Sequence, residues 1–240
     1  MNPHKLTIRL LLSLVVLYLC APAAAAQPRK PPAGGRLAVV VDERLAALRG
    51  TPQLCGRLVR RLSRGRMIAI RGSKTTAEGV VFFLVNVTRR TRGWIQREAV
   101  VAVGRAGEDR RLLELINASY GFDRTARARI FLDYFPRSPL RPRVLLLLGN
   151  AAEEQAAELS REAARRLNAT MGSAPEFSYF LNYSGLDRYN RQRVGFVFDR
   201  ATRRFHYDGA AWRELVRRYP NSAEAAEARQ HLDELAAISQ

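Results

Sequence analysis

The segment of residues 82–94, FFLVNVTRRTRGW, constrains the fold of this chain most strongly. Residues 82–87 are apolar except for one Asn and are rich in aromatic and β-branched types, which is typical of a largely buried strand. Residues 88–92 form a polar turn, and a second strand opens at Trp94. The pattern predicts a hairpin in which Phe82 and Trp94 can share one small core.

The net charge is the unusual feature of the composition. The chain of 240 residues carries 40 Lys and Arg against 22 Asp and Glu, a formal net charge of +18. Nearly all of the positive charge is Arg, and it is spread along the chain without forming a block. This pattern is typical either of a solvated basic surface or of a protein with an anionic partner, such as nucleic acid, wall polymer or lipid head groups.

Residues 1–26 have the pattern of a secretory signal. A basic start is followed by an apolar run and by three Ala residues that offer a cleavage site after Ala26. The apolar run is shorter than a membrane-spanning helix needs. We therefore expect a periplasmic or extracellular protein, and nucleic acid is not the partner expected in that compartment. The alternatives are a lipoprotein anchored through Cys20 and an uncleaved membrane anchor.

Cleavage after Ala26 would leave one cysteine, Cys55, and therefore no internal disulfide and no cysteine metal site. We expect Cys55 to be a small buried or half-buried filler.

The first predicted domain is built from strands. Residues 27–36 are rich in Pro and Gly and form a linker. Between residues 37 and 104 several strands of three to seven residues are punctuated by Gly, which predicts a small β-barrel.

This region resembles the bacterial SH3 domains. Residues 45–49 (LAALR) correspond to the family's L-N-V-R motif, and residues 50–52 (GTP) to its G-P. Residues 82–85 (FFLV) correspond to the W-Y-x-V strand, and residues 92–95 (RGWI) to the closing G-W-V. The chain departs from the family where Phe replaces the usual Trp and Ala the usual Asn. The resemblance implies an SH3-like barrel that binds peptidoglycan or envelope proteins without catalysis.

Four residues are candidates for ligand contact in this region: Trp94, Arg92, Arg90 and Phe83. If an edge of Trp94 is exposed, a ligand can stack on it with Arg90 or Arg92 beside it. The alternative is that Trp94 and Phe82 are both core residues.

The second predicted domain, residues 105–240, has helical periodicity. Residues 131–138 (FLDYFPRS) recur 84 residues later as 215–222 (LVRRYPNS). Each copy ends a helix at an aromatic-Pro pair and provides a Ser to cap the next, with Pro139 as the first residue of the long helix. Gly149 and Asn150 are candidates for a kink in that helix.

The aromatic-Pro-x-Ser pattern resembles tetratricopeptide-type repeats of envelope proteins. The resemblance implies helical hairpins that offer a groove to a peptide. The separation of 84 residues is not a multiple of the usual period of about 34.

An insert at about residues 171–209 interrupts the helices. Residues 194–199 and 204–207 predict a β-hairpin. The insert is dense in aromatic residues, which either pack it on the helices or form a recognition surface.

The sequence contains little that indicates chemistry. We find no metal-spaced His or Cys cluster, no phosphate-binding Gly loop and no nucleophile motif. Asp187, Asp199 and Asp208 could in principle supply a carboxylate pair, but turn and cap roles explain Asp199 and Asp208.

The fold class we predict is therefore α+β, an SH3-like barrel followed by a tetratricopeptide-like helical domain with a hairpin insert. We predict no catalytic residues, no cofactor and no metal. The predicted function is an exported adaptor for peptidoglycan or an envelope protein. The alternative is an electrostatic binder of an anionic polymer or an anionic membrane surface.

Overall fold

The structure is a computed structural model that describes residues 34–169 and 185–238. The predicted signal segment, residues 1–26, lies outside the described residues, as do residues 27–33 of the linker and 171–184 of the insert. The predicted domain boundaries stay predictions. For clarity, residues 34–107 are called the strand half and the described residues from 108 onward the helical half.

The strand half forms one antiparallel sheet of seven strands. The strands are β1 (Arg36–Val40), β2 (Ala47–Arg49), β3 (Leu58–Arg61), β4 (Met67–Thr75), β5 (Val81–Asn86), β6 (Arg92–Gln96) and β7 (Val100–Ala102). Their order across the sheet is β3-β2-β6-β5-β4-β1-β7. The expected hairpin is β5–β6, in which Leu84 lies opposite Trp94 and Phe82 opposite Gln96.

The predicted SH3-like barrel does not close, because the edge strands β3 and β7 are not paired with each other. The outer edge of β7 is instead occupied by the helix that follows it, α1 (Glu108–Asn117). The amide of Ala102 donates to Oε2 of Glu108 at 3.1 Å. Nη1 of Arg111 donates to the carbonyl oxygen of Val100 at 2.8 Å. These side chains satisfy the backbone groups that strand pairing across the gap would use.

Strand β1 separates two hydrophobic clusters, since its side chains alternate between the two faces of the sheet. Ala38 and Val40 pack in a cluster formed within the strand half, and this cluster also contains Leu48. Val39 and Val41 pack with the helices in the second cluster. The two halves therefore share a core along β1.

The helical half contains six α-helices within the described residues. After α1 come α2 (Gly121–Tyr134), α3 (Arg141–Ala169), α4 (Gly185–Asn190), α5 (Ala210–Arg218) and α6 (Ala223–Ile238). Strands β8 (Phe196–Asp199) and β9 (Arg204–Tyr207) form the predicted hairpin between α4 and α5. The long helix α3 lies at the centre, where it packs against α2, α5, α6 and β9. The α+β class is thus confirmed.

The recurring aromatic-Pro-x-Ser segments form matching junctions, one between α2 and α3 and one between α5 and α6. The amide of Ser138 donates to Phe135 O at 3.2 Å, and the amide of Ser222 donates to Tyr219 O at 3.0 Å. Two helical hairpins are therefore present, although a tetratricopeptide array is not shown. The start predicted at Pro139 is two residues early, because the chain first makes a turn there and α3 begins at Arg141.

Helix α3 runs through Gly149 and Asn150 without interruption. Gly149 lies directly under Trp212 of α5, where a Cβ atom would stand 2.1 Å from the indole Nε1. The side-chain oxygen of Asn150 accepts a hydrogen bond from that nitrogen at 3.1 Å. Gly149 and Asn150, the candidates for a kink, therefore form the contact surface for the buried Trp212 side chain.

Candidate functional site

Trp94 stands in the middle of a row of residues that crosses five strands. Leu58 of β3 pairs with Arg49 of β2, which pairs with Trp94 of β6. Trp94 pairs in turn with Leu84 of β5, and Leu84 with Gly72 of β4. Because directly opposite residues point to the same side of a sheet, this row lies on one face.

Three cations lie on the same face, each two residues away from this row. Arg92 lies two residues before Trp94 in β6. Lys74 pairs with Phe82, two residues before Leu84, and Arg61 pairs with Ala47, two residues before Arg49. We call the surface formed by these residues the Trp94 face: Leu58, Arg49, Trp94, Leu84, Arg61, Arg92 and Lys74. It contains an apolar strip with positive charges along it.

The apolar strip of the Trp94 face is open to solvent. Leu58 is 46% exposed, and Trp94 and Leu84 are half-buried. Exposed apolar surface that is rimmed by polar groups is typical of an interaction site.

The charges of the Trp94 face are not neutralised. Arg61, Arg92 and Lys74 are exposed, and the described residues provide no ion pair or hydrogen bond to their side chains. Arg49 is fixed in place because its Nη1 donates to Gly56 O at 2.8 Å. The strand half carries fifteen Lys and Arg residues but four Asp and Glu residues. The face therefore attracts anions over a distance.

Gly93 explains why β2 and β6 approach closely enough to build this row. A Cβ atom at Gly93 would stand 2.7 Å from Arg49 O and 2.8 Å from Cγ of Leu48. Any side chain there would push the two strands apart. The Arg-Gly-Trp segment therefore places Arg49 opposite Trp94.

The structure brings together two of the four candidate residues named from the sequence. Trp94 and Arg92 share the Trp94 face. Arg90 is exposed in the turn between β5 and β6, where its amide donates to Oγ1 of Thr88 at 3.2 Å. Phe83 points to the opposite side, where it pairs with Ile95 and is buried in the core of the strand half.

Five residues of the face were not identified from the sequence: Arg49, Leu58, Arg61, Lys74 and Leu84. The alternation along β5 is a signal that could have found Leu84, because it puts Phe82 and Leu84 on one side of the strand and Phe83 on the other. Phe82 is fully buried.

The acidic residues considered for catalysis have local structural roles. Oδ1 of Asp199 accepts a hydrogen bond from the amide of Ala201 at 2.8 Å, and Oδ1 of Asp208 accepts one from the amide of Ala210 at 2.8 Å. The hydrogen bonds from Thr202 and Ala201 lower the pKa of Asp199. The turn roles predicted for Asp199 and Asp208 are confirmed. Asp187 is exposed on α4.

The aromatic residues of the insert that the structure describes pack inward. Tyr189 is fully buried, and its ring meets Phe122 and Phe196 edge-on at centroid distances of 5.2 and 5.3 Å. Tyr207 meets Trp212 in the same way at 5.3 Å. These contacts support the packing role that was one of the two alternatives.

Cys55 is exposed, so the prediction that it fills the core is wrong. It lies in the loop between β2 and β3, which is closed by a hydrogen bond from the Gly50 amide to Arg57 O at 2.9 Å. Because the loop closes through its backbone, the thiol is not needed for packing.

No helix in the part of the chain that the structure describes is long and apolar enough to cross a membrane. The same residues contain no group of three or more His, Cys, Asp or Glu side chains placed to hold a metal ion. Comparison with protein-family models, curated proteins and solved structures found no significant match to this chain.

Proposed function

We propose that the protein is a non-catalytic adaptor of the cell envelope that binds its partner through the Trp94 face. The observation that carries the proposal is the row in which a half-exposed Trp94 lies between Leu84 and Arg49. The cations beside this row have no ion-pair partner in the described part of the chain. This arrangement can hold a ligand that offers both an apolar face and negative charge. The segment of residues 1–26 supports export to the periplasm or the exterior, or anchoring at the membrane.

Peptidoglycan has both properties. The C–H faces of its sugar rings can stack on an indole ring, whose face carries partial negative charge. The carboxylates of its peptide stems can pair with guanidinium groups such as those of Arg92 and Arg49. The sequence resemblance to bacterial SH3 domains supports the same partner for the strand half.

The helical half would provide a second contact, to an envelope protein. The two matching hairpins, α2–α3 and α5–α6, support a tetratricopeptide-like role in which a partner peptide binds between helices. An adaptor of this kind would hold a wall polymer with one half and a protein with the other.

A second candidate function is electrostatic binding of an anionic polymer or an anionic membrane surface. It is favoured by the charges of Arg61, Arg92 and Lys74, which form no ion pair within the described ranges 34–169 and 185–238. Binding of this type would weaken steeply with salt and would not need Trp94.

The test is co-sedimentation of the protein with purified peptidoglycan sacculi at low and high salt. The variants are Trp94→Ala, the ring-preserving Trp94→Phe, and Tyr120→Ala as the matched control. Tyr120 is 85% exposed and lies between α1 and α2. We expect Trp94→Ala to lose binding, while Trp94→Phe retains part of it and Tyr120→Ala retains all of it.

Absence of binding by the unchanged protein would contradict the proposal. Equal binding by folded Trp94→Ala would instead support the electrostatic function, provided that an Arg61→Gln, Arg92→Gln double variant loses binding and that salt abolishes it.

A further inference from the structure

A second group of arginines lines a cavity of about 410 Å³ in which no residue of the Trp94 face takes part. The cavity lies between the turn that follows β3, helix α2 and helix α4 with the turn after it. We call it the arginine cavity and define it by five residues of its wall: Arg64, Phe122, Arg129, Arg188 and Arg191.

Two of these arginines are held in place with donor groups left over. Nη2 of Arg64 is 2.7 Å from Oδ1 of Asp123, and its side chain is 12% exposed. Its Nε is nevertheless buried without a hydrogen-bond partner among the described residues. Arg129 donates through Nε to Gln192 O at 3.0 Å, and its terminal amino groups have no acceptor among the residues that the structure describes. Burial and the nearby charge of Arg193 lower the pKa of Arg129, as expected for a cation whose charge is poorly compensated.

Aromatic rings hold another guanidinium at the same cavity. Cζ of Arg188 lies 5.2 Å from the centre of the Phe122 ring and 5.0 Å from that of Tyr189. Cζ of Arg64 lies 6.0 Å from the Phe122 ring. Stacking of this kind positions a guanidinium without neutralising it. Nη2 of Arg188 donates a hydrogen bond to the Tyr189 hydroxyl oxygen at 3.5 Å, and its other N–H groups, which have no acceptor among the described residues, stay available to a ligand.

The acids in the cavity wall are already engaged. Oε1 of Glu43 accepts a hydrogen bond from the amide of Arg64 at 3.0 Å. Both carboxylate oxygens of Asp133 accept hydrogen bonds from Nη2 of Arg193, at 2.6 and 2.8 Å. Arg191, at the exposed rim, has no ion pair within the described part of the chain. The cavity therefore carries excess positive charge.

We infer that the arginine cavity binds a small molecule that bears an oxyanion, either a phosphate or a carboxylate, next to an apolar ring or chain. The planar guanidinium fork matches both oxyanions, and Phe122 offers a surface to the apolar part. The volume lies within the range of small-molecule sites, which is roughly 300–1,000 Å³. This binding would be a function separate from that of the Trp94 face.

The test is isothermal titration of the full chain with phenyl phosphate and with phenylacetate. Benzylammonium, which has a ring of the same kind and the opposite charge, is the negative control. We expect saturable binding of at least one anion at one site per chain and no binding of benzylammonium. The anion that binds more tightly indicates whether the ligand of this cavity carries a phosphate or a carboxylate.

Arg188→Gln and Arg191→Gln remove cations that are exposed, so both variants should fold. We expect each to weaken binding by about tenfold or more, since a hydrogen bond to a charged group contributes about 1.5–3 kcal/mol. Arg217→Gln on α5, also exposed, and Arg92→Gln on the Trp94 face should bind like the unchanged protein. Arg193→Gln should also weaken binding, because it frees the Asp133 carboxylate at the cavity.

The inference is overturned if neither anion binds saturably at millimolar concentration. It is also overturned if Arg188→Gln and Arg191→Gln bind like the unchanged protein, or if Arg217→Gln loses as much affinity as they do. Loss of sacculus binding by Trp94→Ala with intact anion binding would separate this site from the proposed adaptor function.

Discussion

Arg127 of helix α2 and Asp42 of the strand half form a buried ion pair, with Nη2 2.7 Å from Oδ2. Their side chains are 7% and 11% exposed. Nε of Arg127 also donates to Val41 O at 3.2 Å, and its Nη1 donates to Oγ of Ser119. Each nitrogen of the guanidinium therefore has an acceptor, and Arg127 links helix α2 to the segment that directly follows β1.

We predict that Asp42→Asn destabilises the protein by about 3–5 kcal/mol at neutral pH, because it leaves a buried cation without its counter-ion. Burial raises the pKa of Asp42. The hydrogen bonds and charge of Arg44, together with the charge of Arg127, lower this pKa by more than burial raises it, so the net shift is downward from 3.8. A carboxyl with a lowered pKa stabilises the fold above its unfolded-state pKa and loses that effect as the pH falls through its folded-state pKa.

The difference in unfolding free energy between the unchanged protein and Asp42→Asn should therefore be constant near neutral pH and should shrink below about pH 4. Urea unfolding at a series of pH values measures it. Glu98→Gln, a change at an exposed acid, is the control and should show little difference at any pH. A difference for Asp42→Asn that does not change with pH would contradict the prediction.

Gly149→Ala should destabilise the protein, although Ala is usually the better helix residue by about 1 kcal/mol. The new methyl group would overlap the Trp212 indole. Overpacking of this kind costs about 1–3 kcal/mol. Trp212→Phe in the same chain should recover part of the loss because the smaller ring leaves room, and a double-mutant cycle in urea measures this coupling. Additive effects of the two changes would show that they do not touch.

Gly93→Ala should separate β2 from β6 and lower the unfolding free energy by about 1–3 kcal/mol, since its Cβ would meet the backbone of Arg49. Gly72→Ala is the matched control, because Gly72 lies in β4 with no atom within 4 Å of the position of a Cβ. We expect Gly72→Ala to be neutral or slightly stabilising. Thermal unfolding of the two variants measures their loss of stability under the same conditions. An equal loss of stability in both variants would contradict the close approach of β2 and β6.

Cys55 should react with a thiol reagent such as DTNB in the folded protein without denaturant, because it is exposed. The Cys55→Ser variant should lose one rapidly reacting thiol and keep its thermal stability. Reaction of Cys55 that begins only on unfolding would contradict its exposed position.

Local patterns in the sequence predicted most of the secondary structure. The hairpin of β8 and β9 ends at the predicted residues, Asp199 and Tyr207, because alternation and turn residues act over a few positions. The helical hairpins followed from the aromatic-Pro-x-Ser segments, because Pro acts on its immediate neighbours. The predicted Ser cap is present at Ser138, whose Oγ accepts a hydrogen bond from the Leu140 amide at 3.2 Å. It is wrong for Ser222, whose Oγ is buried without a hydrogen-bond partner among the described residues.

What could not be predicted depends on pairing between distant segments. The outer edge of β7 binds Glu108 and Arg111, which belong to a helix whose own periodicity gives no sign of this role. Leu58 and Arg49 join Trp94 only because β2 pairs with both β3 and β6. A strand's register decides which side chains face outward, and the sequence of one strand does not contain its partner's register.

Strand β3 ends the sheet with four exposed residues, Leu58–Arg61. An open strand edge can pair with the same edge of another molecule, which is a common route to aggregation. Here that contact would bring Arg60 and Arg61 of two molecules together, and like charges repel across paired strands. The positive charge of β3 therefore disfavours pairing of this edge between two copies of the protein.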